Sequence, residues 1–152
     1  MTTMTRERLL SEAEHLMREK GYSVFSYADL SKIVGITKAS IHHHFPTKDI
    51  LGEQVVIQAF SDTQRVFEQI EATEKSAERR IAAYIDIFAQ SHKASLLPLC
   101  CALSAETANL PQAITVQTSL YFDMQSSGSQ KSSGRAWSQV SFHPMPNHQI
   151  LL

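Results

Sequence analysis

The sequence lacks the usual marks of a secreted or membrane protein. Its two cysteines, Cys100 and Cys101, are adjacent, so they supply no disulfide framework. No apolar run is long enough to cross a bilayer, and the first residues, M-T-T-M-T-R-E-R, lack the charged-then-apolar pattern of a signal peptide. We therefore expect a cytoplasmic protein that does not associate with membranes.

An excess of charge of one sign is also absent, with 14 lysines and arginines against 15 aspartates and glutamates. The overall charge therefore does not indicate a nucleic-acid partner. Its distribution says more, because residues 1–50 carry seven basic, six acidic and four histidine side chains, whereas residues 51–90 carry four basic and seven acidic ones. A weakly basic head on an acidic body suits DNA binding on one face, although solvated helix faces give similar counts.

Patterns that catalysis or metal binding would need are missing too. The sequence contains no glycine-rich phosphate loop and no nucleophile–base pair, so we expect no enzymatic activity and no cofactor. The triplet His42-His43-His44 suggests a metal site at first sight. On a helix, however, consecutive side chains point about 100° apart and cannot converge on one ion. Metal ligands on a helix are spaced by three or four residues, and we therefore expect no metal here.

What the sequence does contain is a segment, residues 26–48, that predicts two short helices joined by a tight turn. Ser26 and Asp29 form an S-x-x-D capping box that begins the first helix. Gly35 ends that helix, because glycine adopts the left-handed conformation without a steric penalty. Thr37 can then cap the second helix. This order is that of a helix-turn-helix, whose second helix enters the major groove of DNA.

The residues from Thr37 onward, T-K-A-S-I-H-H-H-F-P-T-K-D-I-L, resemble the recognition-helix signature of the TetR family of bacterial transcriptional regulators. The resemblance runs from about Arg6 to about Met124. It departs from the family pattern at His42, where the family usually has tyrosine. It implies a DNA-binding regulator, in most cases a ligand-responsive repressor that reads a palindromic operator on double-stranded DNA as a homodimer.

The resemblance also implies which residues contact DNA. The base-reading positions are Ala39 and Ser40, and the backbone-contact positions are Thr37, Lys38, His42, His43 and Lys48. Physical chemistry agrees, because groove binding needs donors and cations near the start of the recognition helix, and a small residue lets the backbone approach the bases. The alternative is that these are ordinary solvated residues. Ile41 and His44 are expected to face inward, His44 as a hydrogen-bonded core histidine.

Start signals and apolar periodicity predict helices throughout the first 124 residues. Thr47 caps a fourth helix whose apolar spacing continues for over twenty residues, so this helix leaves the head and enters a second body. A fifth helix starts near Ser76, Pro98 lies in the first turn of a sixth, and a seventh opens at Pro111. The first helix has a buried stripe formed by Leu9, Leu10, Ala13, Leu16 and Met17.

We therefore predict an all-α fold in three parts. Residues 1–47 form a three-helix helix-turn-helix head, and residues 48–124 form an incomplete helical ligand-binding body. Residues 125–152 hold seven serines, two glycines and two prolines with no acidic residue, and their composition predicts a disordered, irregular tail. By family resemblance this region should instead be two helices that build the dimer interface. A homodimer is thus in question for this chain.

The body contains an apolar set that, by resemblance, encloses a small apolar inducer, and its candidate ligand-binding residues are Phe60, Phe67, Tyr84, Phe88, Cys100, Leu103 and Phe122. A plain helical core is the alternative interpretation. The two cysteines also allow two interpretations. They are either a redox or electrophile sensor near a helix start, or small hydrophobic residues in a core.

The preferred function is thus a TetR-like transcriptional regulator. The alternative is a truncated interaction or ligand-binding fragment that does not bind DNA, because the helices for dimerisation are not legible in the sequence. A small all-α enzyme is a more distant third possibility.

Overall fold

The computed structural model describes residues 2–120, and every regular element in that range is helical. Residues 112–120, here α7, are helical as far as the described range extends. The other helices are α1 (Thr2–Lys20), α2 (Tyr27–Val34), α3 (Lys38–His44), α4 (Lys48–Thr73), α5 (Ala77–Lys93) and α6 (Leu99–Ala105), with a 3₁₀ turn at Thr107–Asn109.

Local sequence signals explain where these helices begin and end. The backbone N–H of Ser26 donates to the Asp29 carboxylate at 2.9 Å, and the Ser26 hydroxyl accepts from the backbone N–H of Asp29 at 3.3 Å, which is the predicted capping box. Gly35 ends α2 with a φ of 76°. The predicted caps Thr37, Thr47 and Ser76 each accept a hydrogen bond from a backbone N–H three residues later, all at 3.2 Å.

The head is built around two aromatic side chains, Phe25 and Phe45, each 1% exposed. All five residues of the predicted α1 stripe are buried around them, as is Tyr22. The same cluster of buried residues continues into Leu103 of α6 and Ile114 of α7. Head and body therefore share one continuous core within the described residues, and the boundary predicted after residue 47 remains a prediction.

Several details differ from the sequence expectations. In α2 the buried residues are Leu30 and Val34, whereas Ile33 is 42% exposed. Pro98 is the N-cap of α6 and lies one residue before its first turn. Helix α6 ends at Ala105, and a 3₁₀ turn at Thr107–Asn109 follows it before α7.

Helix α4 joins the two parts. It has 26 residues, as the long apolar period predicted, and its first turns carry the buried residues Leu51, Val55 and Val56. No helix in residues 2–120 is long and apolar enough to cross a membrane. The predicted tail at residues 125–152 lies outside the described residues, so its structure stays a prediction.

Candidate nucleic-acid interface and ligand cavity

The short helix α3 has one buried anchor and an outward face. Ile41 is 0% exposed and fixes the helix on the head core. The predicted DNA-contact residues lie around the rest of the helix. Thr37, Lys38, Ala39, His42 and His43 are exposed and Ser40 is half-buried. The fold thus brings all six predicted residues of this segment to one small helical surface.

His42 holds the end of α3 in place. Its Nδ1 lies 3.0 Å from the carbonyl oxygen of Pro46, and because that oxygen only accepts, the contact requires a proton on Nδ1. The His42 ring also meets the Tyr27 ring edge-on at 4.8 Å. The Tyr27 hydroxyl in turn donates to the carbonyl oxygen of Phe45 at 2.8 Å, and burial raises its pKa to about 12, so it stays a donor at neutral pH. These contacts join α2 to the end of the exposed helix.

Lys48, predicted as a phosphate contact, has a partner that the sequence did not reveal. Its Nζ donates to the backbone carbonyl of Ser23 at 3.3 Å and lies 4.6 Å from the ring centroids of both Tyr22 and Phe25. Burial lowers the pKa of the ammonium group, while the carboxylates of Glu106 and Asp49 oppose that shift. Lys48 therefore supports the turn between α1 and α2, and at most part of its donor capacity faces outward.

Two cations on α1 were not singled out from the sequence. The guanidinium of Arg6 lies 5.0 Å from the Phe45 ring centroid and donates to Gln54 Oε1 at 3.2 Å. Arg8 donates to the carbonyl oxygen of Ile33, near the end of α2, at 3.4 Å. Both arginines are exposed, so they add positive charge beside the helix-turn-helix. In the sequence they look like ordinary polar positions of an amphipathic helix.

His44 does not fit the core histidine that was predicted. It is half-buried, and its ring lies edge-on to the exposed ring of His43 at 5.7 Å; the described contacts include no hydrogen bond to its ring. The last turn of α3 is too close to the surface to enclose an imidazole. Among residues 2–120 no group of three potential ligands is placed to hold a metal ion.

A cavity of about 260 Å³ lies between α1, α4, α5, α6 and α7. Four of the predicted ligand-binding residues line it, namely Phe60, Phe67, Cys100 and Leu103. Tyr84 does not line the cavity but packs edge-on against Phe67 with ring centroids 4.8 Å apart. The side chain of Phe88 and the whole of Phe122 lie outside the described residues.

One side of the cavity is polar, which the sequence analysis missed. Arg18 of α1 donates through Nε to the carbonyl of Leu97 at 2.9 Å and through Nη2 to Ser91 Oγ at 3.0 Å. Its Nη1 lies 3.5 Å from Glu14 Oε1. Burial raises the pKa of Glu14 above its ordinary value of 4.5, and the Arg18 charge opposes that shift while Asp62 adds to it. A head helix therefore supplies part of the cavity wall.

The two cysteines are not the core residues of the simpler interpretation, because Cys101 is exposed and Cys100 is only half-buried. Cys100 is half-buried in the cavity wall, and burial raises the pKa of its thiol to about 11, with a contribution from the adjacent Cys101. A thiol with so high a pKa is almost entirely protonated at pH 7, and the thiolate is the reactive form. The described structure thus gives no support to Cys100 as a sensor.

The sequence matches a known family in the region of the helix-turn-helix. A family model described as "Bacterial regulatory proteins, tetR family" matches residues 9–55. The HTH-type transcriptional repressor DhaR of Mycobacterium sp. (strain GP1) is 33% identical over 63 residues, which cover 41% of this chain and 32% of that protein. The HTH-type transcriptional repressor NemR of Escherichia coli (strain K12) is 30% identical over 81 residues, which cover 53% of this chain and 41% of that protein. The matches thus span well under half the length of these curated relatives.

A solved structure extends the similarity to most of the chain. A TetR-family transcriptional regulator from Agrobacterium tumefaciens superposes with a TM-score of 0.84 at 28% identity, covering 91% of this chain and 74% of that one. The similarity confirms the predicted all-α fold with an N-terminal helix-turn-helix.

Proposed function

We propose that this chain is a TetR-family DNA-binding transcriptional repressor with α3 as its recognition helix, because the TetR family model matches its helix-turn-helix and a TetR-family structure matches its fold. The observation that carries the proposal is the exposed surface of α3, which Ile41 anchors to the core from behind. Matched proteins in this family are regulators rather than enzymes. The match lies on the DNA-binding part, so it does not favour the alternative of a fragment that cannot bind DNA.

We assign the predicted contact residues on and around α3 to two roles. Ala39 and Ser40 are the base-reading candidates, because a small side chain allows close approach and a hydroxyl can donate or accept at a base edge. Thr37, Lys38 and His43 would contact phosphates, which position the helix without reading sequence. His42 would do the same through the edge of its ring, and Lys48 through the donor capacity that Ser23 leaves unused.

We further propose that two copies bind a palindromic operator. Helix-turn-helix dimers contact half-sites about one helical turn, or a multiple of it, apart. One head makes few base contacts, and linking two heads typically raises affinity about 10²–10⁴-fold through effective concentration. Double-stranded DNA and a second copy of the chain are therefore the expected partners.

A small molecule in the cavity would make the repressor ligand-responsive. The cavity is bounded by α1, which belongs to the head, and by α4, which leaves the head and enters the body. A ligand that binds better to one arrangement of these helices shifts the population toward it. The change would alter the distance between two recognition helices on the operator.

The proposal is tested by selecting bound duplexes from a randomised DNA pool with the purified chain, then measuring binding by fluorescence anisotropy. We expect enrichment of an inverted repeat, and a loss of its preference over unrelated DNA in Ser40→Ala and Ala39→Val. Lys75→Ala is the matched control, since Lys75 is exposed but lies in the loop after α4. Enrichment of no sequence at all, with a folded protein, would contradict the proposal.

A further inference from the structure

The hydroxyl groups of the described residues that line the cavity are used as donors within their own helices. Thr63 donates to the carbonyl of Ala59 at 2.8 Å and Ser91 donates to the carbonyl of Ile87 at 3.3 Å. Thr118 likewise donates, at 2.8 Å, to the carbonyl four residues before it. Because a hydroxyl has one proton and two lone pairs, each of these groups has only acceptor capacity left for a ligand.

The charged groups of the lining add more acceptors than donors. Glu14 and Asp62 are carboxylates, which only accept hydrogen bonds when ionised. Arg18 is the cation among the described lining residues, and three of its five N–H groups already face protein oxygens, on Leu97, Ser91 and Glu14. The polar side of the cavity is therefore rich in acceptors and poor in available donors.

Glu14 is the acceptor with the least satisfied charge. Its described partner is Arg18 at 3.5 Å, which is at the limit of a hydrogen bond and is shared with two stronger contacts. Asp62, by contrast, is ion-paired with Arg65 one turn along α4. A half-buried carboxylate with one weak partner gains most from a new donor, and most of all from a cationic one.

Resting on the ligand-responsive function proposed above, we propose that the cavity binds a small aromatic amine, with its ammonium group at Glu14 and its ring among the apolar residues. The volume of about 260 Å³ lies just below the range typical of drug-sized ligands, which suits a single ring. Phe60 and Phe67 supply aromatic walls. A carboxylate ligand is disfavoured, because Glu14 and Asp62 repel it and the described lining hydroxyl groups have no proton left to donate.

The proposed contact also gives the ligand a route to the head. An ammonium group at Glu14 competes with Arg18 for the same carboxylate. Arg18 is the side chain that ties α1 to Leu97 and to Ser91 of α5. Ligand binding would therefore change the attachment of the first head helix to the body.

The test measures binding to the full chain by calorimetry at pH 7 without DNA, using four probes that share one ring: benzylamine, benzyl alcohol, ethylbenzene and benzoate. We expect benzylamine to bind about tenfold or more tightly than benzyl alcohol, as charge-assisted hydrogen bonds are about twice as strong as neutral ones. Benzoate should bind most weakly. Equal or tighter binding of benzoate would overturn the proposed ligand class, and binding of none of the four would overturn the site.

A charge-neutral variant locates the ammonium group. Glu14→Gln should abolish the preference for benzylamine over benzyl alcohol while benzyl alcohol itself still binds. Glu19→Gln is the control, because Glu19 lies on the same helix and is exposed. Circular dichroism of both variants checks that they fold. A preference for benzylamine that survives in folded Glu14→Gln would contradict the assignment to this carboxylate.

DNA binding is measured separately, so the two proposals fail in different ways. If benzylamine binds with the expected preference but leaves operator binding unchanged, the ligand-responsive part of the proposed function is wrong and the ligand class stands. If operator binding is normal but the probes show no preference, the ligand class is wrong and the DNA-binding function stands.

Discussion

The carboxylate of Glu106 accepts a hydrogen bond from the backbone N–H of Ser23 at 2.8 Å, which ties the end of α6 to the turn between α1 and α2. The carbonyl of Ser23 accepts in turn from Lys48 at the start of α4. The backbone of Ser23 is thus held from two sides: Lys48 at the start of α4 binds its carbonyl, and Glu106 at the end of α6 binds its N–H. The contact links α6, which lines the cavity, to the helix-turn-helix head.

Gly21 makes this link possible, which leads to a first prediction. It has a φ of 88°, and a Cβ at this position would lie 1.9 Å from Glu106 Oε1. Gly21→Ala should therefore displace the Glu106 carboxylate, and the loss of its hydrogen bond to Ser23, about 1 kcal/mol, adds to the roughly 1–2 kcal/mol expected for positive φ. Gly35→Ala is the matched control, since its φ of 76° is similar but nothing lies within 4 Å of its Cβ. Urea unfolding measures both. An equal loss of unfolding free energy in the two variants would contradict the role of Glu106. In a Glu106→Ala background, Gly21→Ala should cost no more than Gly35→Ala does.

The two lysines of the candidate interface should differ in what they affect. Lys38 is exposed, so Lys38→Ala should lower the slope of DNA affinity against salt concentration by about one unit and leave thermal melting unchanged. Lys48→Ala should reduce DNA affinity too, but it also removes the hydrogen bond to Ser23 and the ring contacts, at a cost of about 1 kcal/mol of stability. Identical melting curves for Lys48→Ala and wild type would contradict the structural role.

The stability of the chain should depend on the charge of Glu14. Burial raises its folded-state pKa above 4.5, and the charge of Asp62 adds to this rise, whereas Arg18 and His15 oppose it. Between pH 4.5 and the raised value the folded chain holds more protons than the unfolded chain, so the free energy of unfolding falls as pH rises through this window. Glu14→Gln should therefore melt at a higher temperature than wild type at pH 7, and the gap should close below pH 4.5. Glu19→Gln should show no such pattern in the same melts.

The two cysteines should react at different rates. Cys101 is exposed, whereas Cys100 is half-buried with a pKa of about 11. Iodoacetamide at pH 7.5 should therefore modify Cys101 first, as mass spectrometry of the single variants Cys100→Ser and Cys101→Ser can show. Benzyl alcohol, if it fills the cavity, should slow the alkylation of Cys100 further. Faster alkylation of Cys100 than of Cys101 would revive the sensor interpretation.

Helix boundaries were predicted well because they depend on neighbours in the sequence. The capping box of Ser26 and Asp29, the caps Thr37 and Thr47 and the glycine turn at Gly35 each join residues at most a few positions apart. Local backbone geometry determines such contacts, so the chain needs no tertiary structure to specify them. The exposed face of α3 follows almost as directly, since one apolar residue, Ile41, decides which side turns inward.

Contacts between distant residues could not be predicted in this way. Arg18 and Leu97 form a hydrogen bond although they are 79 residues apart in the sequence, and Ser23 and Glu106 do so 83 residues apart. In the sequence, Arg18 and Glu14 are simply the polar side of an amphipathic helix, and Lys48 is simply a cation near a DNA-binding motif. The packing of α1 against α4 and α6 decides that the first two line a cavity and that the third supports a turn.

The sequence by itself therefore determined most of the helices, their caps and the exposed face of α3, because periodicity and capping act over a few residues. Only the tertiary structure decided the cavity, its acceptor-rich wall and the link from Glu106 to Ser23. Those features arise where helices far apart in the chain come together, and their polar groups acquire partners and altered pKa values through burial.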